Sequence, residues 1–148
     1  MFEKILVPFD GSEHSLHALE NAVQIAKKFD AKITLIHVYS VNLWPIGAGD
    51  IPELTVTIPV GQILEAARNA GATILVNGEK RAKAEGVQVE KLLKEGHTVE
   101  KILRTAEEGK FDLIVVGARG LSTIKEILLG SVSHGVTSHA PCPVLVVK

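Results

Sequence analysis

The sequence predicts an α/β domain built on an open, five-stranded parallel sheet with helices on both faces. Short apolar runs alternate along the chain with longer segments that repeat apolar residues at helical spacing. The run at 113–116, LIVV, is rich in β-branched residues and lacks polar alternation, which is typical of a strand buried on both faces. A length of 148 residues suits one domain of ordinary size, so we expect a single domain over residues 1–148.

The first part of the chain predicts a β-α-β unit. Residues 3–9 and 32–39 have the composition of strands, and a helical pattern over 13–29 lies between them. The turn Asp10-Gly11-Ser12 starts this helix. Connections between parallel strands are right-handed in nearly all proteins, so we expect a right-handed crossover.

The rest of the chain alternates in the same way after a long irregular segment. Residues 40–58 are predicted to form a loop or lid, because this region contains Trp44, the run Gly47-Ala48-Gly49 and three prolines at 45, 52 and 59. In order, we then predict a helix over 60–85, a strand over 86–95, a helix over 98–108, a strand over 111–117, a turn or two of helix between 120 and 130, a helix over 132–139 and a last strand over 143–148.

Three glycines interrupt these helical patterns. Gly71 and Gly78 each weaken the helix over 60–85 by about 1 kcal/mol relative to alanine, so we expect a packing constraint or a bend there. Gly135 predicts that the last helix is short or frayed.

Composition and charge exclude several classes of function. Sixteen basic residues balance seventeen acidic ones, so no strongly basic surface suits nucleic acid or a membrane. No apolar stretch reaches transmembrane length, and the first residues lack the features of a signal peptide. The single cysteine, Cys142, cannot form an internal disulfide and is predicted to be a structural thiol in a reducing compartment. We therefore expect a cytoplasmic protein.

The segment that follows the strand over 111–117 carries the residues best suited to a ligand. Gly117 and Gly120 stand at the exit of the strand, and Gly130 and Ser131 stand at the start of the next helix. Glycines let the backbone approach a ligand closely, because no Cβ intervenes. The free N–H groups and the dipole of a helix that begins at Ser131 attract an anion. The pattern therefore predicts a phosphate cradle.

Side chains in the same segment would complete this cradle. Ser131 is the predicted N-cap, and the hydroxyls of Ser131 and Ser133 would donate to phosphate oxygens. Arg119 would add positive charge. A structural interpretation stays open beside this one: Gly117 ends a strand, and Gly130 stops one helix before another starts. The spacing matches neither the P-loop pattern nor the dinucleotide fingerprint.

The spacing Gly117-x2-Gly120-x9-Gly130-Ser131 resembles the G-2x-G-9x-G-[S/T] nucleotide signature of the ATP-binding branch of the universal stress proteins. The resemblance extends from KILVPFDGS at 4–12 to APCPVLVV at 140–147. It implies a Rossmann-like fold of the adenine nucleotide alpha hydrolase-like type. It also implies ATP binding, a role in stress response or signalling with a protein partner that the sequence does not identify, and a homodimer formed through the last strand.

The resemblance also implies which residues bind the nucleotide, because positions of this sequence match the binding positions of the family. It implies that the ends of the first two strands hold the adenosine through Pro8, Phe9, Asp10 and Val38. It implies that the glycine motif holds the ribose and phosphates through Gly117, Ala118, Arg119, Gly120, Gly130, Ser131, Val132 and Ser133.

Asp10 is the predicted contact for a divalent cation. In an open parallel sheet, ligands bind beyond the carboxyl ends of strands at the point where connections leave in opposite directions. The first and fourth predicted strands both end in polar, glycine-bearing loops, so we expect them to be neighbours there. A carboxylate beside phosphates needs a bridging cation, and Mg²⁺ commonly serves. Asp10 is equally suited to capping the turn that follows it.

Two other classes of function remain as alternatives. A slow ATP hydrolase or nucleotidyl transferase of the same fold would need a base to position its nucleophile, and no residue stands out for that task. A receiver domain would need clustered acidic residues after the first strand and a phosphoacceptor aspartate after the third, and the chain offers Asp10 alone. A flavodoxin-like binder would show a yellow colour on purification. The six histidines do not predict a metal site, and His14 and His17 are predicted to be a solvated pair.

Overall fold

The computed structural model describes residues 1–41, 59–121 and 129–148, in which strands and helices alternate. In chain order the elements are β1 (Lys4–Pro8), α1 (Glu13–Phe29), β2 (Lys32–Tyr39), α2 (Val60–Ala84), β3 (Val89–Glu95), α3 (Thr98–Glu108), β4 (Leu113–Gly117), α4 (Ser131–His139) and β5 (Val144–Val147). They match the predicted elements to within a few residues at each end. The predicted lid at 42–58 and the predicted helical turn at 122–128 lie outside the described residues.

All five strands form one parallel sheet in the order β3-β2-β1-β4-β5. β1 lies at the centre, where Ile5 is paired with Ile33 of β2 and with Leu113 of β4. The chain moves outward from β1 to β3 and then returns to the other side of β1. The switch point therefore lies between β1 and β4, as predicted, and the predicted fold class is confirmed.

The two faces of the sheet bury separate apolar clusters, because successive side chains of a strand point to opposite faces. Ile5 and Val7 of β1 pack on one face with the apolar stripe of α1 and with α2. Leu6, between them, packs on the other face with Ile102 of α3 and Val136 of α4. Helices thus cover both faces.

The two edges of the sheet differ in chemistry. β3 carries charged residues at most positions, which is a common protection of an exposed edge. β5 is entirely apolar, with the sequence VLVV, and Leu145 is 37% exposed. No helix in the described ranges combines the length and the apolar composition that crossing a bilayer requires.

Cys142 packs beside the cluster that contains Val136. Burial raises the pKa of its thiol, and the negative charge of Asp112 raises that pKa further. A thiol whose pKa is raised reacts slowly, which agrees with the predicted structural role.

The glycines of the helices are places of close packing. A Cβ on Gly71 would lie 2.8 Å from both His37 Cδ2 and Leu93 Cδ1, and a Cβ on Gly135 would lie 2.9 Å from Val99 Cγ1. α2 nevertheless runs without interruption from Val60 to Ala84. Of the two explanations predicted for the glycines of α2, the packing constraint is therefore confirmed.

Replacing Gly78 with alanine should destabilise the protein, although alanine is the better helix former. The new Cβ would lie 2.9 Å from Leu35 Cδ1 and 2.9 Å from Phe9 Cε1, and both side chains are buried. Overpacking costs about 1–3 kcal/mol, against a gain of about 1 kcal/mol in helix propensity. We expect urea unfolding to show a net loss of about 1 kcal/mol.

The matched control is Gly61→Ala in the same helix, where no atom of the described residues beyond the surrounding helix backbone lies within 4 Å of the new Cβ. This variant should be as stable as the wild type or more stable, by up to about 1 kcal/mol. Equal changes in the free energy of unfolding for the two variants would show that close packing at Gly78 does not contribute to stability.

Candidate functional site

The turn between β1 and α1 is fixed by hydrogen bonds of its own side chains. Gly11 has φ +80°, a conformation that other residues rarely adopt. Asp10 Oδ1 accepts a hydrogen bond of 2.9 Å from the N–H of Ser12. Ser12 in turn caps α1, because its Oγ accepts from the N–H of Ser15 at 3.2 Å. The capping role considered for Asp10 is thus present, and it uses Oδ1 of the carboxylate rather than Oδ2.

The loop after β4 comes very close to this turn. A Cβ on Gly117 would lie 2.7 Å from the backbone carbon of His14, and a Cβ on Gly120 would lie 2.7 Å from Asp10 Oδ2. At Gly117 the nearest atom belongs to the backbone of His14, so this position requires glycine for the approach, whereas a Cβ at Gly120 would displace the carboxylate of Asp10. As a result, the carboxylate of Asp10 lies directly against the glycine loop.

Ala118 anchors this loop from beneath. Its N–H donates to Val147 O of β5 at 2.7 Å, and its carbonyl accepts from the N–H of Gly130 at 2.7 Å. The same carbonyl accepts a second hydrogen bond of 2.7 Å from the hydroxyl of Ser133. The loop after β4 is therefore tied both to β5 and to the start of α4.

The start of α4 differs from the prediction in one respect. Gly130, with extended φ −68° and ψ 167°, is the N-cap, and Ser131 is the first helical residue. The prediction that Ser131 is the N-cap was therefore wrong, although the helix does begin at Ser131. Gly130 makes no side-chain capping bond, so the first N–H groups of α4 are free of a side-chain cap.

A cleft of about 280 Å³ opens between these loops, at the carboxyl ends of the central strands. The starts of three helices contribute to its wall: Ser15 of α1, Thr98 of α3 and Ser131 of α4. Helix N-termini carry partial positive charge, so the cleft favours an anion. Asp10 is the one carboxylate among its lining residues within the described ranges.

The structure brings nearly all of the predicted site residues together in this cleft. Ala118 is the exception, because it is buried beneath the loop and contributes backbone contacts alone. The predicted residues that line the cleft are Pro8, Phe9, Asp10, Val38, Gly117, Arg119, Gly120, Gly130, Ser131, Val132 and Ser133.

The hydroxyls of Ser131 and Ser133 differ in whether they are available to a ligand. The hydroxyl of Ser133 is buried, and it donates to the carbonyls of Ala118 and Gly130 at 2.7 and 3.0 Å. Ser131 is exposed at the rim of the cleft. The predicted donation from Ser133 to a phosphate would therefore compete with two bonds within the protein, whereas Ser131 has no such competitor in the described part of the chain.

Sequence reasoning did not assign several residues that line the cleft. His37 precedes Val38 on β2, and its position at the end of a strand next to β1 was a usable signal. Thr98 begins α3, which starts at the carboxyl end of the neighbouring strand β3. The apolar members of this unassigned group are Ile36, Ile102, Val116 and Leu121.

The structure adds no cluster of metal-binding side chains to this picture. In the described ranges, no three residues among the histidines, cysteines, aspartates and glutamates lie together in a way that would hold a metal ion. His14 and His17 are both half-buried, so the prediction of a solvated pair was wrong, and the backbone of His14 packs against Gly117.

The Ser133 hydroxyl should stabilise the fold, whereas the Ser131 hydroxyl should not. Ser133→Ala removes a buried hydrogen-bond donor and should lower the free energy of unfolding by about 1 kcal/mol. Ser131→Ala, two residues away on the exposed surface, should change it by less than about 0.5 kcal/mol. Urea denaturation of both variants measures the difference, and equal losses would contradict the assigned hydrogen bonds.

Comparison with known proteins agrees with this architecture. The model of the universal stress protein family matches residues 1–148. The universal stress protein YxiE of Bacillus subtilis is 38% identical over 152 residues, and the alignment covers 100% of both chains.

Solved structures show the same fold. The structure of a universal stress protein in complex with cAMP is 33% identical with a TM-score of 0.72, and the match covers 99% of this chain and 97% of that one. A universal stress protein family protein from Arabidopsis thaliana with AMP bound is 25% identical with a TM-score of 0.68, covering 99% and 91%. The family match over all 148 residues and the fold shared with these structures show that the chain belongs to the universal stress protein family.

Proposed function

We propose that this protein binds ATP, together with Mg²⁺, in the cleft between β1 and β4 and acts as a nucleotide-dependent module in stress response or signalling. The observation that carries the proposal is the convergence of Gly117, Gly120 and the start of α4 on one side of Asp10. This arrangement exposes backbone donors to a ligand where no side chain obstructs it.

The polar half of the cleft suits the phosphates. The start of α4 presents backbone N–H groups without a side-chain cap, and Ser131 adds an exposed hydroxyl. Arg119 also lines this region and contributes a permanent positive charge. Anions bind well where a helix dipole and free N–H groups coincide.

The apolar half of the cleft suits a flat nucleobase. Ile36 of β2, Val116 of β4 and Ile102 of α3 are buried in one apolar cluster and line this part of the cleft. Ligand sites of this kind combine apolar walls with a few fixed polar groups. Two similar structures carry cAMP and AMP, which supports adenine as the base.

The residues present also fit a magnesium ion held jointly with the ligand. Mg²⁺ is usually bound by one or two carboxylates together with phosphates and water rather than by a cage of protein ligands. Asp10 offers Oδ2 at the glycine loop, while its Oδ1 is engaged by Ser12. Bound there, the ion would offset the repulsion between the Asp10 carboxylate and the phosphates.

The same protein is proposed to be a homodimer in the cytoplasm. β5 is an apolar edge of the sheet, whereas the other edge, β3, is protected by charged residues. An exposed apolar edge strand pairs readily with another chain. Contact between two copies through β5 would cover Leu145, and Ala118 is bonded to this strand, so the edge and the glycine loop are physically connected.

Gly130→Val should abolish tight ATP binding while the fold persists. Valine tolerates the extended backbone of Gly130, and the new Cβ would meet Arg119 Cα at 3.4 Å, which neighbours can accommodate by small shifts. The branched side chain would then occupy the mouth of the phosphate region. Calorimetric titration with Mg-ATP should show a Kd at least about tenfold higher, equivalent to about 1.4 kcal/mol.

Gly61→Ala, on α2 and outside the residues that line the cleft, is the control and should bind as the wild type does. Circular dichroism checks that each variant is folded. Wild-type affinity in folded Gly130→Val would disprove the phosphate cradle.

Asp10→Asn should weaken the dependence of ATP binding on Mg²⁺. Asparagine keeps a side-chain oxygen for the hydrogen bond from Ser12, so the turn is preserved, but it removes the negative charge. Titrations with and without Mg²⁺ should therefore differ by at least about tenfold in Kd for the wild type and by much less for the variant. An unchanged Mg²⁺ effect in the variant would place the ion elsewhere.

A further inference from the structure

We propose that His37 is a positioning residue of the nucleotide site, because its ring holds the Phe9 carbonyl and thereby leaves the N–H of Val38 available to a ligand. The inference rests on the proposed function, since it concerns how the same cleft binds a nucleotide. His37 lines the cleft at the end of β2, beside Phe9 and Val38.

The contact between His37 and Phe9 shows which nitrogen of the imidazole ring carries the proton. His37 Nδ1 lies 2.8 Å from Phe9 O. A carbonyl oxygen only accepts hydrogen bonds, so Nδ1 must carry the hydrogen. In the neutral ring, Nε2 is then the unprotonated nitrogen.

The pairing of β1 and β2 shows what this contact replaces. The register pairs Pro8 with Ile36, and the N–H of Phe9 donates to Ile36 O at 2.9 Å, so Phe9 stands opposite His37. In a regular parallel ladder, the next hydrogen bond would run from the N–H of Val38 to Phe9 O. Within the described residues that bond is not formed, and the ring of His37 donates to Phe9 O instead.

Because the ring of His37 takes the place of the Val38 N–H at the Phe9 carbonyl, this N–H is left for a ligand in the cleft. Alternate residues of a strand direct their N–H groups to the same side, so Val38 points like Ile36 toward β1. β1 has ended at Pro8, so the N–H of Val38 faces the cleft rather than a neighbouring strand. It is therefore positioned to donate to the edge of a nucleobase.

The same contact sets the direction of the next peptide group. In a trans peptide the C=O and the following N–H point in opposite directions. Because the carbonyl of Phe9 points toward β2, the N–H of Asp10 points toward β4 and its glycine loop. His37 thus orients donors on both sides of the end of β1.

The ring of His37 is held in place by α2. A Cβ on Gly71 would lie 2.8 Å from His37 Cδ2 and 3.4 Å from Nε2, so the helix backbone packs directly on the ring. Gly71 is buried in the centre of α2. The close packing of this helix glycine therefore serves the orientation of a residue in the cleft.

The test compares His37→Asn with His37→Leu in calorimetric titrations with Mg-ATP. The asparagine amide donates from nearly the same place as Nδ1, whereas leucine fills similar space without a donor. We expect His37→Asn to bind within about threefold of the wild type and His37→Leu to bind at least about tenfold more weakly. His17→Leu, on α1 and outside the cleft lining, is the matched control and should bind as the wild type does.

The outcomes separate this inference from the proposed function. If the wild type does not bind Mg-ATP, the proposed function fails and the inference falls with it. If the wild type binds and folded His37→Leu binds equally well, or if both His37 variants lose affinity equally, the inference alone is overturned.

A second measurement covers the case in which His37→Leu does not fold. Nitrogen-15 NMR of the wild type distinguishes a ring protonated at Nδ1 from one protonated at Nε2 alone. We expect the proton on Nδ1 of His37, and a proton on Nε2 alone would overturn the inference.

Discussion

The structure depends on one close approach, in which the loop after β4 packs against the turn after β1 without side chains between them. Gly117 lies against the backbone of His14, and Gly120 lies against the carboxylate of Asp10. A Cβ at Gly117 would lie 2.7 Å from the backbone of His14 and would force the loops apart, and a Cβ at Gly120 would lie 2.7 Å from Asp10 Oδ2 and would displace that carboxylate. The cleft exists because these two loops meet at the point where the order of the strands reverses.

The remaining contacts hold this junction and supply its chemistry. Ala118 ties the glycine loop to β5 and to α4, and His37 ties the end of β1 to β2. Both ties act on backbone groups, so the donors and acceptors around the cleft are fixed by the rigid sheet rather than by mobile side chains. Helix starts at the same end of the sheet give the cleft a positive bias that Asp10 partly offsets.

The sequence predicted what depends on local chemistry. The Asp10-Gly11-Ser12 turn predicted the start of α1, and apolar runs predicted the strands other than the charged edge strand β3. The resemblance placed eleven of its twelve site residues around one cleft. Ser131 was wrongly predicted as the N-cap because the extended conformation of an N-cap suits glycine as well as serine, and spacing alone does not distinguish them.

What the sequence did not predict depends on contacts between distant residues. The sequence predicted a packing constraint or a bend at Gly71, but it did not predict that the ring of His37 is the packing partner. The position of His37 at the end of a strand was a usable signal for the cleft, but its contact with the Phe9 carbonyl depends on the register of β1 and β2. The most direct test of the account is an amide NMR titration of nucleotide-free protein with Mg-ATP. The account predicts the largest changes at Asp10, Val38 and the segments 117–120 and 130–133. Changes centred on the groove between α1 and α2, or no changes, would contradict it.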